Sequence, residues 1–179
     1  MADITKARVL MLAADGFETV ELFEPRKALE AAGATVTLAS ITKDPIQGMK
    51  GDINKAETAQ PDMTLDEVDV DDFDALVLPG GVANPDKLRT EERAVEIVQD
   101  FMDDEKIVAA ICHAPWLLAE ADVIDGRRLT GFKSIRTDLE NAGADVEDEE
   151  VVVDENLITS RCPDDIPAFN KAIIAALSA

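Results

Sequence analysis

Four short apolar runs constrain this chain more than any other feature: Arg8–Ala14 (RVLMLAA), Thr35–Ser40 (TVTLAS), Phe73–Leu78 (FDALVL) and Lys106–Ile111 (KIVAAI). Each has the length of a strand, and nearly continuous apolar runs of that length belong to strands covered on both faces, as in a parallel sheet. The stretches between them read as helices. Pro25 is expected in a first helical turn, and Arg26–Ala32 leads to Gly33 as a C-terminal stop. Glu91–Met102 sets Ala94, Val95, Ile97, Val98, Phe101 and Met102 on a stripe of 3.6-residue period. Trp116–Ala121 is helical, and Pro163–Ala179 reads as a closing helix with acids at its N-terminus. Glu150–Val153 and Leu157–Ser160 flank Asp154-Glu155-Asn156, a hairpin signal with a three-residue loop. Residues 42–70 are polar and glycine- and proline-containing, consistent with loops and a small hairpin beside the main sheet. The expectation is one α/β domain over residues 1–179, with a mostly parallel sheet covered by helices on both faces.

Charge narrows the function classes. The 179 residues carry 38 acids against 17 bases, a net charge of −21. Such a surface repels phosphate backbones and anionic lipid, so neither nucleic acid nor membrane is an expected partner. No apolar stretch approaches the length of a membrane helix, and the opening MADITKARVLML lacks the regions of a secretory signal. With only Cys112 and Cys162, no disulfide framework is possible, which points to a reducing cytoplasm. The acids are spread along the whole chain, and self-repulsion on that scale weakens with salt, so a salt-rich cytoplasm is expected.

The only histidine, His113, directly follows Cys112, which ends a buried strand just before a helix. A cysteine on such a strand-to-helix turn stands at the carboxyl end of the sheet, where open α/β folds carry their sites, and the helix N-terminus stabilises thiolate. His113 can act as general acid or base, and its backbone N–H is a candidate oxyanion donor. Pro79-Gly80-Gly81 follows another buried strand; if the two strands are neighbours, the N–H groups of Gly81 and His113 converge on one oxygen. Glu18, after the first strand, is the carboxyl expected to reach Cys112, and a protonated carboxyl can donate to sulfur. Nucleotide motifs are absent, and too few Cys and His are present for a zinc site, so no cofactor or metal is expected.

These motifs carry a resemblance. Gly16-Phe17-Glu18-x-Val20-Glu21-Leu22, Leu78-Pro79-Gly80-Gly81, Ala110-Ile111-Cys112-His113-Ala114-Pro115, Thr137–Ala144 and Val151–Asp154 resemble the PfpI-like branch of the DJ-1/PfpI superfamily, from about residue 7 to 177. The resemblance implies a flavodoxin-like three-layer sandwich, a nucleophilic Cys112 on a strained elbow, Glu18 hydrogen-bonded to it and His113 beside it. It also implies a homo-oligomer, dimer or hexamer, in which a neighbouring subunit lends a carboxylate to the histidine; Glu92 falls at that position, with Glu91 one residue away. Two departures stand out: Ala114 replaces the commoner glycine after Cys-His, and Phe132-Lys133 occupies a place where many relatives carry tyrosine. The activities implied are glyoxalase or deglycase chemistry on a small carbonyl substrate, cysteine peptidase or amidase action on a peptide, or a non-catalytic redox-responsive thiol.

Overall fold

The computed structural model describes residues 3–179. Its central sheet has seven strands: β1 (Arg8–Leu12), β3 (Thr35–Ser40), β6 (Met63–Thr64), β7 (Ala75–Leu78), β8 (Ile107–Ile111), β11 (Val151–Asp154) and β12 (Leu157–Ser160). Their spatial order is β11-β12-β8-β7-β1-β3-β6, and every pairing is parallel except β11 with β12. A three-stranded sheet of β2 (Phe17–Glu18), β4 (Ile46–Lys50) and β5 (Asn54–Ala59) lies beside it, which is where the small hairpin was expected. The remaining strands, β9 (Arg128–Leu129) and β10 (Asp145–Val146), form a short parallel pair.

Alternation along each strand builds two cores. Leu10, Leu12, Leu76, Leu78, Val108 and Ala110 face one side. There they meet Ala94, Ile97, Val98 and Phe101 of α3 (Glu92–Asp103), Leu117 and Leu118 of α4 (Pro115–Glu120), and Leu139 of α5 (Arg136–Asn141). Val9, Met11, Ala75, Val77, Ala109 and Ile111 face the other, packed on Leu22 and Leu29 of α1 (Thr19–Ala31) and Phe169, Ile173 and Leu177 of α6 (Ile166–Leu177). A further short helix, α2 (Ala83–Leu88), follows β7. The result is the mixed α/β sandwich that the apolar runs foretold.

Two local expectations need correction. The first helix begins at Thr19, so Pro25 lies inside it. Proline there leaves the carbonyl of Glu21 without its usual i+4 donor, a cost that burial of Leu22, Pro25 and Leu29 offsets. The β11–β12 hairpin turns on Glu155 and Asn156 alone, because Asp154 pairs with Leu157 and Glu155 adopts φ 54°, the left-handed conformation that tight two-residue turns require.

The chain runs from β1 outward through β3, then returns to the other side of β1 as β7. The strand order therefore reverses between β1 and β7, and a crevice opens at their carboxyl ends. The connections leaving β1, β7 and β8 meet there.

Candidate active site

Cys112 follows β8 directly and adopts φ 65°. A non-glycine residue in this region costs about 1–3 kcal/mol and persists only where the surroundings enforce it. They do so here: Cys112 N–H donates to the Ser160 carbonyl (3.0 Å), and its own carbonyl accepts from Phe132 N–H (2.8 Å). Beyond the elbow, Ala114 N–H returns to the Ile111 carbonyl (3.1 Å). Ala114 has φ −56°, so alanine replaces glycine there without strain.

The carboxyl that meets the thiol is Glu21, in the first turn of α1. It is wholly buried, hydrogen-bonds Cys112, and accepts from Gly80 N–H through Oε2 at 2.9 Å. Its other oxygen, Oε1, has no partner. Burial pushes the Glu21 carboxyl up to about 8, against the opposing pull of its hydrogen bonds to Cys112 and Gly80. Burial also pushes the Cys112 thiol up, the Glu21 charge adds to this, and N–H groups of Gly81 and His113 directed at the sulfur oppose it. Two buried acids in contact resist carrying two charges, so the pair keeps at least one proton at neutral pH.

Glu18, the carboxyl expected at Cys112, faces elsewhere. Its Oε2 accepts from Gly51 N–H at 2.8 Å, and Asp52 N–H also donates to it. Burial raises the Glu18 carboxyl above its ordinary value, with the Gly51 hydrogen bond opposing. Glu18 therefore ties down the β4–β5 turn, and Asp52 passes the tie to the next loop by accepting from Val82 N–H (2.8 Å). The physical reason for the exchange is the early helix start: with α1 beginning at Thr19, the first turn carries Glu21 inward, while Glu18 remains in β2 beside β4.

Strands β7 and β8 are neighbours, with Leu78 opposite Ala110, which brings Gly80 and Gly81 to the elbow. A Cβ on Gly80 would lie 2.6 Å from Cys112 Cβ and 2.6 Å from Glu21 Oε2. Gly81 has φ 79°, and a Cβ there would meet the Gly16 carbonyl at 2.4 Å. Asn84, fully buried, fixes this loop by donating to the carbonyls of Pro79 (2.8 Å) and Gly80 (3.0 Å) and accepting from Ala14 N–H (2.7 Å). Nothing in the sequence distinguished Asn84 from a surface helix residue. A cleft lined by Gly16, Met49, Asp52, Val82 and Lys87 borders the same loop.

His113 does reach its neighbour: Nδ1 lies 3.2 Å from Cys112 Sγ. Nε2 lies 3.1 Å from Ser134 Oγ, and the ring stacks on Phe132 with centroids 4.6 Å apart. Trp116 closes the edge at 5.3 Å. Burial holds His113 below the ordinary imidazole value, with Asp52 opposing, so the ring is neutral at pH 7. Glu92 opens α3 with an exposed side chain, and no hydrogen bond or ion pair joins Glu91 or Glu92 to the site within the chain. Cys162 lies elsewhere, 3.7 Å from Asp165. Among the described residues no group of three His, Cys, Asp or Glu side chains could hold a metal ion, and no helix is long and apolar enough to cross a membrane.

The structure is thus a mostly parallel α/β sandwich that presents a cysteine on a left-handed elbow with a buried carboxyl beside it. The chain belongs to the DJ-1/PfpI family, whose model matches residues 7–176. It is 50% identical over 162 residues to general stress protein 18 of Bacillus subtilis, covering 90% of this chain and 92% of that protein. It is 43% identical over 174 residues to protein/nucleic acid deglycase 2 of Escherichia coli, covering 96% and 98%. Among solved structures it superposes with a TM-score of 0.91 and 40% identity on a two-domain protein from Anabaena variabilis that contains DJ-1/ThiJ/PfpI-like and ferritin-like domains. That match covers 96% of this chain but 48% of the other, about half its length.

Proposed function

We propose that this protein is a cofactor-independent enzyme of glyoxalase or deglycase type, using Cys112 on reactive 2-oxoaldehydes such as methylglyoxal and on the adducts they form with amines. The observation that carries the reading is the Cys112–Glu21 pair: a buried thiol and carboxyl in contact, with Glu21 Oε1 unpartnered. The deglycase name of the Escherichia coli relative supports the same chemistry.

The thiolate adds to the aldehyde carbon, and the carbonyl oxygen takes the proton that Glu21 held, giving a hemithioacetal. Where that carbon carries an amine as a hemiaminal, the thiol displaces the amine, which leaves with the thiol proton. Glu21, now ionised, removes the C–H proton of the same carbon through Oε1, and the electron pair forms an enediolate with its charge on the former ketone oxygen. Glu21 returns that proton to the former ketone carbon while the hydroxyl proton of the sulfur-bearing carbon passes to the former ketone oxygen, giving a 2-hydroxyacyl thioester. Water cleaves it to the 2-hydroxy acid and free Cys112. The sum is methylglyoxal plus water to lactic acid. N–H groups of Gly81 and His113 directed at the sulfur are suited to hold the thiolate and the oxygen beside it.

A second reading, amide hydrolysis, draws on the His113 Nδ1 contact with Cys112, since a peptidase needs that imidazole to protonate a leaving amine. Aldehyde chemistry asks less of the site, because it requires addition and proton transfer rather than expulsion of an amine from a stable amide. Brief exposure to methylglyoxal followed by acid quench and intact mass measurement tests the covalent step. A single adduct on wild type, absent from Cys112→Ala, is expected; an adduct equally abundant in both proteins would remove Cys112 from the reaction.

A further inference from the structure

We propose that Asp52 is a positioning residue. From the β4–β5 turn its carboxylate fixes the far side of the Gly80-Gly81 pair, so that the Gly81 N–H stays turned to the Cys112 elbow, placed to hold the oxygen of the reacting carbonyl. The inference deepens the proposed reaction and rests on that reading for its catalytic consequence.

Two successive glycines are conformationally permissive, so the loop between Pro79 and Val82 does not choose its own shape. The choice comes from outside it. Gly80 N–H donates to Glu21 Oε2 (2.9 Å), and the Gly80 carbonyl accepts from Asn84 Nδ2 (3.0 Å) and Glu18 N–H (3.2 Å). Because a peptide is planar and trans, a Gly80 carbonyl turned toward Asn84 sends the Gly81 N–H the opposite way. Among the described residues that N–H donates to no oxygen of the chain. These contacts hold the peptide before Gly81. The peptide after it is held by one hydrogen bond among the described residues, Val82 N–H to Asp52 Oδ1 at 2.8 Å.

The turn presents Asp52 for this task. Gly51 and Asp52 adopt φ 63° and 61°, left-handed conformations that glycine favours and aspartate tolerates. The buried Glu18 clamps the turn through Gly51 N–H at 2.8 Å. The carboxylate therefore meets Val82 from an ordered turn, and little conformational entropy is lost in making the bond. Asp52, Met49 and Val82 also line the cleft beside the loop, so the strut spans two sides of it.

Asp52 is exposed, so its replacement leaves the core intact. Asparagine keeps an accepting oxygen and tolerates positive φ, whereas alanine and glycine remove the acceptor with opposite effects on the turn backbone. Backbone 1H–15N spectra of the whole chain, combined with amide hydrogen exchange, read the loop without any substrate. Asp52→Ala and Asp52→Gly are expected to speed Val82 N–H exchange about tenfold, as for loss of a hydrogen bond to a charged group. Both should also move the Gly81 amide signal, while Asp52→Asn keeps the two readouts close to wild type. In lactate formation the alanine and glycine variants are expected to lower kcat about fivefold with little change in KM, on the scale of one hydrogen bond. Asp52→Asn should retain most of the wild-type kcat. A Gly81 signal unmoved in both deletion variants would overturn the assignment. Asp52→Asn behaving like Asp52→Ala would overturn it too, since the charge and not the accepting oxygen would then matter. If the protein proves inactive on methylglyoxal, the amide signals still decide whether Asp52 fixes Gly81, so the two failures are distinguishable.

Discussion

The Glu21 carboxyl and the Cys112 side chain meet across Gly80, a residue whose backbone passes so close to both that a single methyl group there would stand 2.6 Å from Glu21 Oε2 and 2.6 Å from Cys112 Cβ. Three separate connections, after β1, β7 and β8, are thereby brought to one point. The contact dictates what each of the three residues can be.

Gly80 tolerates no side chain. Gly80→Ala must displace either the elbow or the Glu21 carboxyl, and overpacking of this kind costs about 1–3 kcal/mol. The variant is expected to melt lower than wild type and to alter the rate at which Cys112 reacts with iodoacetamide. A crystal structure showing the elbow and Glu21 unmoved would contradict this.

Glu21 also ties stability to pH. Its carboxyl is raised from the ordinary 4.5 to about 8 in the folded protein. Between those values the folded state binds more protons than the unfolded one, so stability falls as pH rises through the window. His113, lowered below 6.5, works in the opposite direction only below that value. Chemical denaturation at intervals from pH 6.5 to 8 should show a decline that Glu21→Gln flattens. Glu18 is also raised above 4.5, so it contributes a decline of the same sign that sets in above that value, and Glu18→Gln should remove it. For catalysis the two differ: Glu21→Gln should cost about 10²–10⁴ in kcat, as expected of a lost general acid–base, while Glu18→Gln should cost far less. Equal losses would mean that the thiol depends on the β4–β5 turn as much as on its own carboxyl.

The elbow stores strain. At φ 65°, any side chain at position 112 pays a penalty that glycine escapes. Cys112→Gly should therefore unfold at higher denaturant than Cys112→Ala, by about 1–2 kcal/mol. A reversed order would show that Cβ packing at 112 outweighs the backbone cost.

The net charge of −21 makes the folded chain repel itself, and salt screens that repulsion. Thermal melts in rising KCl are expected to climb steadily. A flat series would sink the expectation of a salt-rich cytoplasm.

Most of the scaffold was legible because the strands are buried on both faces and announce themselves as apolar runs; β3 spans Thr35–Ser40 as read, and β7 and β8 begin one or two residues late. The cysteine elbow was legible for a related reason, since a buried strand ending at Ile111 leaves Cys112 little choice of place. The partner carboxyl was not. Reading Pro25 as a helix start left residues 16–22 as loop and made Glu18 the nearer acid. The true start at Thr19 aims Glu21 into the site, and a mid-helix proline paid for by buried neighbours gives no warning of this. Ser134 and Asn84 were invisible because the contacts of Ser134 with His113 and of Asn84 with Ala14 join residues distant in the chain, which no local pattern encodes.

The central claim is that Cys112 turns over a 2-oxoaldehyde. Methylglyoxal consumption with chiral detection of lactate, run on wild type and Cys112→Ala at high KCl beside a quenched casein substrate, tests it most directly. Lactate of one hand from wild type, none from the variant and casein untouched is the predicted result. Casein cleavage without aldehyde turnover would contradict it in favour of a peptidase, and silence on both substrates would contradict it in favour of a redox-responsive thiol.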